Sequence, residues 1–281
     1  MLAAGPAVAS KVRSIADRSA SEGFSGTFTV LEPTPAGTPY ARGVSHHLRP
    51  STPYAPDVLL PGDPGRALAF AQQLLTEPKM SNHARGLWGY TGETPEGRPL
   101  SIQSTGMGGP SAAIVLQELA ELGVRRAIRV GTCGALDAEL EHGQLVVVSE
   151  ALAEDGASRA LGAGETAAPD PVLTARLAAG LPAGVAPSSI VTTDLFYDGG
   201  PGHGGPPRAR ADAWRRRGAV AVEMEAATLF TLGNRLGVAT GCVLTVSDTF
   251  DDGARRRIQD DHLAEAVERM GALAAGALNP D

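Results

Sequence analysis

The chain has 281 residues, 43% of them hydrophobic, which suffices for one large α/β domain or two small ones. Its net charge of −7 excludes the chain-wide positive field of a nucleic-acid binder, and its two cysteines, Cys133 and Cys242, exclude a disulfide framework and a zinc site and fit a reducing, cytoplasmic setting. No apolar run reaches the ~18 residues of a membrane span, and the start of the chain lacks the charged and apolar regions of a signal peptide, so neither is expected.

Residues 1–56 read as an appendage rich in Ala, Ser, Gly and Pro, with the first ~20 residues loosely held, as chain termini often are. His46 and His47 stand near its end, read by themselves as two surface histidines. Residues 57–60 form the first core strand, which stops in Pro61-Gly62-Asp63-Pro64-Gly65-Arg66 before a helix over 67–75. A glycine turn feeding a helix start, with an Arg in the first turn, favours an anion, although a plain turn with a solvated Arg is at least as common. Neither a Walker loop nor a GxGxxG pattern occurs. Residues 86–91 and 98–103 suggest a hairpin, with Arg85 at its opening.

The central stretch, residues 101–136, reads as strand, glycine turn, helix, strand, glycine turn. Thr105-Gly106-Met107-Gly108-Gly109 leads into Pro110, placed as a first helical residue. Val115, Leu119 and Leu122 recur at helical spacing and Gly123 follows as a stop. A strand over 127–130 then enters Gly131-Thr132-Cys133-Gly134. Strand, helix and strand in so few residues imply a parallel pair, with ligands beyond the carboxyl ends. Arg129 lies in an apolar strand end, where a guanidinium requires an anion or a carboxylate.

Further on, residues 144–149 read as a buried strand, 151–168 as a loop-rich region, and 171–179 as a helix. A β-branched strand over 189–193 ends in Asp194-Leu195-Phe196-Tyr197, which puts two of the few aromatics at a strand's carboxyl end, either to stack on a planar base or simply to pack in the core. Residues 198–207 form a glycine-rich loop, read as a lid or a plain loop. A strand over 219–222 leads through Glu223-Met224-Glu225 into a helix that stops at Gly237. Such acids commonly just complement the helix dipole, a reading that suits Glu225 better than Glu223; a carboxylate pair also suits a vicinal diol. A strand over 241–246 ends in Ser247-Asp248-Thr249, with Asp248 either a turn residue or a carboxyl group at the active edge. Arg255, Arg256 and Arg257 follow, then an amphipathic helix bearing Leu263, Val267, Met270 and Leu273.

Each of these signals is weak alone. In this order, PGDPGR at 61–66, GMGGPS at 106–111, RVGTCG at 129–134, EMEAA at 223–227 and Ser247-Asp248 resemble the nucleoside phosphorylase superfamily of hexameric purine nucleoside phosphorylases and uridine phosphorylases. The match runs over roughly residues 46–275, leaving 1–45 as an N-terminal extension before a single domain over 46–281. The resemblance implies a three-layer α/β/α domain around a mixed, partly closed sheet. It implies phosphorolysis of a nucleoside to base and ribose 1-phosphate, with phosphate as co-substrate and neither cofactor nor metal. It also implies a homo-oligomer, a hexamer built as a trimer of dimers, without nucleic-acid or membrane partners.

Carried over by position, Gly62, Arg66, Arg129 and Thr132 resemble the phosphate site, completed by Arg85 from a neighbouring subunit. Met107, Glu223, Met224 and Glu225 resemble the ribose pocket, with a neighbour's His47 (or His46) on the 5′-hydroxyl. Phe196 resembles the ring that packs on the base, Asp248 the general acid of the purine enzymes, and Arg255 (or Arg256 or Arg257) its helper. Residues 111–123 and 225–230 look closer to uridine phosphorylases, yet the Gln-x-Arg pair with which those enzymes read uracil is replaced by Gly199-Gly200-Pro201-Gly202-His203. With Ser247-Asp248 present, purine nucleosides are favoured, uridine being the alternative. A water-using nucleosidase is disfavoured by the arginines, and a non-catalytic nucleoside-binding protein by the acid.

Overall fold

The computed structural model describes residues 45–199, 204–251 and 254–279. The N-terminal extension therefore lies outside the described residues apart from Ser45, as do 200–203 of the glycine-rich loop. Every element falls within one unit, Pro39–Asp281.

The first strand, β1 (Asp57–Leu60), leads into α1 (Pro64–Leu74), where the Asp63 side chain accepts the Arg66 N–H at 2.8 Å and Pro64 occupies the first turn. After it come β2 (Thr76–Asn82), a single 3₁₀ turn (Ala84–Gly86), β3 (Gly89–Glu93) and β4 (Pro99–Gln103). The central helix α2 (Gly109–Glu121) connects to β5 (Arg126–Ala135), and Gly123 at φ 99° ends the helix as expected. Next are β6 (Leu145–Glu154), α3 (Gly156–Ala160), β7 (Thr166–Ala167), α4 (Pro171–Ala179) and β8 (Ser188–Thr193). The chain closes with α5 (Arg208–Arg216), β9 (Ala221–Glu223), α6 (Ala226–Leu236), β10 (Ala239–Asp251), β11 (Ala254–Arg257) and α7 (Asp260–Ala277).

The strands form one mixed sheet in the order β11-β10-β6-β8-β9-β5-β1-β4-β3-β2, and β10 also pairs with β5. That extra pairing closes β5, β10, β6, β8 and β9 into a ring, so the sheet is partly closed, as the resemblance implied. Alternation along β1 divides the helices into two layers. Leu59 packs in the cluster with Phe70 of α1, Leu173 of α4 and Met270 of α7, whereas Val58 and Leu60 pack with Leu116 of α2 and Leu229 of α6.

Four expectations are corrected. β4 and β5 are parallel but not paired, because β1 lies between them. The stretch Gly131–Gly134 is not a turn but the continuation of β5. Its glycines provide clearance: a Cβ on Gly131 would stand 2.8 Å from the Arg129 guanidinium carbon, and one on Gly134 2.9 Å from the Phe250 ring. The region 151–168 is not loop-rich, since β6 runs on to Glu154 and α3 and β7 follow. The strand expected over 241–246 extends to Asp251 and turns back as β11, so Arg255 stands on a β-hairpin.

Candidate active site

Eleven of the residues singled out from sequence line one cleft of about 590 Å³ at the carboxyl ends of the parallel strands: Gly62, Arg66, Met107, Arg129, Thr132, Phe196, Glu223, Met224, Glu225, Asp248 and Arg255. His47 and Arg85 do not line it.

At one end, the α1 N-terminus and Arg66 form a pocket for negative charge. Arg66 Nη1 is buried without a hydrogen-bond partner among the described residues. Burial lowers the Arg66 pKa, and the Arg129 cation lowers it further. A buried guanidinium nitrogen with a free donor suits an anion.

Arg129 is different. Its Nε donates to Glu223 Oε2 at 2.8 Å and its Nη2 pairs with Glu225 Oε2, with only 4% of the side chain exposed. Burial works against the cation, yet Glu225 and Glu223 outweigh it and raise the pKa above the ordinary arginine value. The charge of Arg129 is thus already offset, and Arg66 carries the surplus.

Glu223 is saturated. It accepts from Arg129, from Thr192 Oγ1 at 2.5 Å, and from the backbone N–H groups of Glu225 at 2.8 Å and Ala226 at 3.0 Å. Its side chain is fully buried, so it anchors Arg129 and the turn into α6 and offers little to a sugar. Glu225 takes the Gly108 N–H on Oε1 and Arg129 on Oε2. Burial raises its pKa, Arg129 opposes that, and Glu223 adds to it. Met107 is 86% exposed on the cleft rim and Met224 is half-buried, which makes an apolar frame beside Glu225.

Asp248 lines the same cleft. The β5–β10 register shifts between Val246 and Asp248, and this bulge re-aims the strand so that Val246 packs in the core while Asp248 lines the cleft. Arg255 Nε donates to Asp248 Oδ1 at 2.7 Å, while Arg257 is 3.9 Å away. Ser247 Oγ donates to Asp248 Oδ2 at 2.7 Å. Of these two arginines, Arg255 therefore holds Asp248 the more closely. Its guanidinium carbon also lies 4.8 Å from the Phe196 ring centre. Phe196 is 39% exposed and meets Tyr197 edge-on.

Several contributors were not anticipated. Phe250 forms a cleft wall, with Gly134 and Gly205 making room for its ring; its only sequence signal was its place two residues after Asp248. Thr192 holds Glu223, and Asn82 accepts the Arg49 N–H at 2.9 Å while donating to the Leu87 carbonyl at 2.5 Å across the turn that carries Arg85. Arg85 itself is exposed, with φ 59°. Glu118, a lone carboxylate between Val115 and Leu122 on the apolar face of α2, receives the segment bearing His47. Cys133 and Cys242 are free, and burial raises both thiols. Among the described residues no group of three His, Cys, Asp or Glu side chains is placed to hold a metal, and no helix is long and apolar enough to cross a membrane.

A buried, unpaired guanidinium nitrogen and an Arg-held carboxyl group that line one cleft, on a partly closed α/β sheet, fit a group-transfer enzyme that handles a small anion. The family comparison narrows this. A model of the phosphorylase superfamily matches residues 56–279, and the chain belongs to that family, with the nucleoside phosphorylases its motifs resemble. The chain is 38% identical over 205 residues to a DeoD-type purine nucleoside phosphorylase of Caldanaerobacter subterraneus subsp. tengcongensis, covering 71% of this chain and 85% of the relative. It is 37% identical to one of Clostridium novyi, covering 71% and 84%, and 36% identical to one of Geobacillus kaustophilus, covering 68% and 80%.

Proposed function

We propose that this chain is a purine nucleoside phosphorylase, converting a purine nucleoside and phosphate reversibly to the free base and ribose 1-phosphate. The observation that carries the reading is the pairing within one cleft of Arg66, whose buried Nη1 has no partner among the described residues, with Asp248, held by Arg255. One end suits an anionic nucleophile and the other a leaving group that needs a proton.

Phosphate occupies the pocket of Gly62, Arg66 and Thr132, with Arg129 fixed behind it by Glu223 and Glu225, and a neighbouring subunit's Arg85 completes its charge balance. Ribose lies against Met107 and Met224, its hydroxyls donating to Glu225, and His47 of a neighbour meets the 5′-hydroxyl. The base packs on Phe196. As the C1′–N9 bond breaks, its electron pair passes to the purine and positive charge develops on the sugar. Phosphate on the opposite face stabilises that charge and attacks C1′. Asp248 delivers a proton to N7, and its new negative charge is met by Arg255. That His47 and Arg85 stand away from this chain's own cleft supports an oligomer in which they serve a neighbour, and the family resemblance points to a hexamer. Phosphate is a co-substrate and no cofactor enters the chemistry; the two unpaired cysteines suit a cytoplasmic setting.

Ultraviolet assays of inosine, adenosine and uridine, each with and without phosphate, test the reading. The expected result is phosphate-dependent release of purine, with uridine slower. Release at equal rates without phosphate identifies a nucleosidase, and preferential cleavage of uridine overturns the choice of base.

A further inference from the structure

Residues 45–48 converge on one buried carboxylate. Glu118 Oε1 accepts the N–H of His46 at 3.1 Å, the N–H of His47 at 3.0 Å and His47 Nδ1 at 2.7 Å. Oε2 accepts Ser45 Oγ at 2.6 Å and the Leu48 N–H at 2.7 Å. Leu48 is fully buried among Val115, Leu116 and Leu119 of the same helix. The segment is therefore fastened to α2 at two points, one apolar and one ionic.

The backbone N–H groups of His46, His47 and Leu48 that face Glu118 can only donate, so both its oxygens are acceptors and the contact fixes the imidazole. His47 Nδ1 must carry hydrogen to meet Oε1, and in the neutral ring Nε2 is then a bare acceptor directed away from Glu118. The His47 side chain is 33% exposed, while His46, exposed, has its backbone N–H on Glu118 and its ring edge-on to that of His47. We propose that Glu118 is a positioning residue for sugar recognition, holding His47 with Nε2 outward to accept a hydrogen bond from the ribose 5′-hydroxyl in a neighbouring copy. This inference rests on the phosphorylase reading above and extends it from the cleft to the surface that serves another cleft. It also assigns the role to His47 and not His46.

Glutamine cannot replace Glu118 without turning an NH₂ toward at least one N–H or hydroxyl donor, in either rotamer. Inosine and 5′-deoxyinosine, compared by kcat/KM for phosphorolysis, read the effect, since only the first presents the 5′-hydroxyl. The wild type is expected to prefer inosine about tenfold, the worth of one hydrogen bond. His47→Ala and Glu118→Gln are both expected to bring that ratio close to one by slowing inosine alone, and His46→Ala to leave it unchanged. If Glu118→Gln slows both substrates equally and keeps the wild-type ratio, Glu118 is structural only and the proposal is overturned, as it is if His47→Ala keeps the ratio. Nitrogen-15 spectra of the histidine-labelled wild type, with the His47 signal assigned through His47→Ala, cover a Glu118→Gln variant that fails to fold. Protonated Nδ1 in the neutral ring is expected, and protonated Nε2 overturns the proposal. Failure of the wild type to release base from inosine in a phosphate-dependent way would instead sink the phosphorylase reading, while the spectra would still report on Glu118.

Discussion

Arg255 Nε lies 2.7 Å from Asp248 Oδ1, and the two residues are joined by a β-hairpin in which Asp248 pairs with Arg257 and Phe250 with Arg255. The carboxyl group proposed as the acid and the arginine proposed as its helper are therefore held together by the fold itself. The same guanidinium lies against Phe196, which links the proposed proton donor to the ring proposed to carry the base.

This arrangement predicts a split between substrates. Asp248→Asn is expected to lower kcat on inosine by ~10²–10⁴, the usual scale for a general acid. On 7-methylinosine, whose base leaves without needing a proton at N7, the loss is expected to stay below about tenfold. Steady-state rates on both nucleosides check this. Equal losses on the two would make Asp248 a binding residue and not an acid.

The idle Nη1 of Arg66 predicts a phosphate effect. Arg66→Ala removes charge-assisted hydrogen bonds worth about 1.5–3 kcal/mol, so KM for phosphate is expected to rise ~10–100-fold with KM for inosine nearly unchanged. Phosphate is also expected to raise the melting temperature of the wild type and not of the variant, because a ligand that binds only the folded state stabilises it. Calorimetry over a phosphate series reads both.

The same residues mark where sequence reading succeeds and where it stops. The apolar run at 57–60 reads as a core strand ending at a glycine turn, and β1 spans those residues, but which of its side chains faces which helical layer appears only in the fold. Arg129 stood out because a guanidinium in an apolar strand demands a partner. Its partners are two carboxylates distant in sequence, which spacing alone does not disclose. β2 was missed because Thr76–Asn82 is mostly polar and exposed, with no apolar period to read. The Gly131–Gly134 stretch was misread because glycine signals turns more often than clearance, and only folded coordinates place Arg129 and Phe250 over those backbones. Glu118 gave a signal, a charge on an apolar helix face, whose meaning depended on residues some seventy positions earlier.

Clearance at Gly131 has a measurable consequence. A Cβ there meets a guanidinium that Glu223 and Glu225 hold in place, so Gly131→Ala must displace Arg129 or the strand. The expected cost is about 1–3 kcal/mol of stability, with a drop in kcat/KM for phosphate. A variant with wild-type melting temperature and wild-type phosphate kinetics would show that the strand gives way freely.

Glu118 also predicts acid sensitivity. Burial opposes its ionised form, but hydrogen bonds from Ser45, Leu48 and His47 outweigh burial and bring the carboxyl from an ordinary 4.5 to about 2. A carboxyl group depressed in the folded state stabilises the fold above its unfolded pKa. That contribution is lost as pH falls from about 4.5 toward 2. The stability gap between wild type and Glu118→Gln is thus expected to be widest at pH 7 and to narrow by pH 3. Urea unfolding at both values, at one fixed protein concentration, checks it. An unchanged gap would place the effect of the substitution in packing.

The position of Arg85, exposed at φ 59° and outside the cleft bounded by Arg66 and Asp248, predicts complementation between two defective chains. A strained non-glycine residue held on the surface by a turn that Asn82 braces is a common mark of a functional position. If Arg85 acts on a neighbour's phosphate, an Arg85→Ala chain keeps a sound cleft but offers its neighbour no arginine, while an Asp248→Asn chain offers the arginine and lacks the acid. Each variant alone is expected to be nearly inactive. Coexpressed, they form mixed oligomers in which an Arg85→Ala cleft receives Arg85 from an Asp248→Asn neighbour, and a substantial fraction of wild-type activity is expected to return. Carrying both substitutions on one chain, mixed with neither partner, gives the baseline. If coexpression restores nothing while light scattering shows that mixed oligomers form, Arg85 does not act across the interface. The phosphate must then be held by this chain's own Arg66 and Arg129, and the idle Nη1 of Arg66 becomes the principal anion contact.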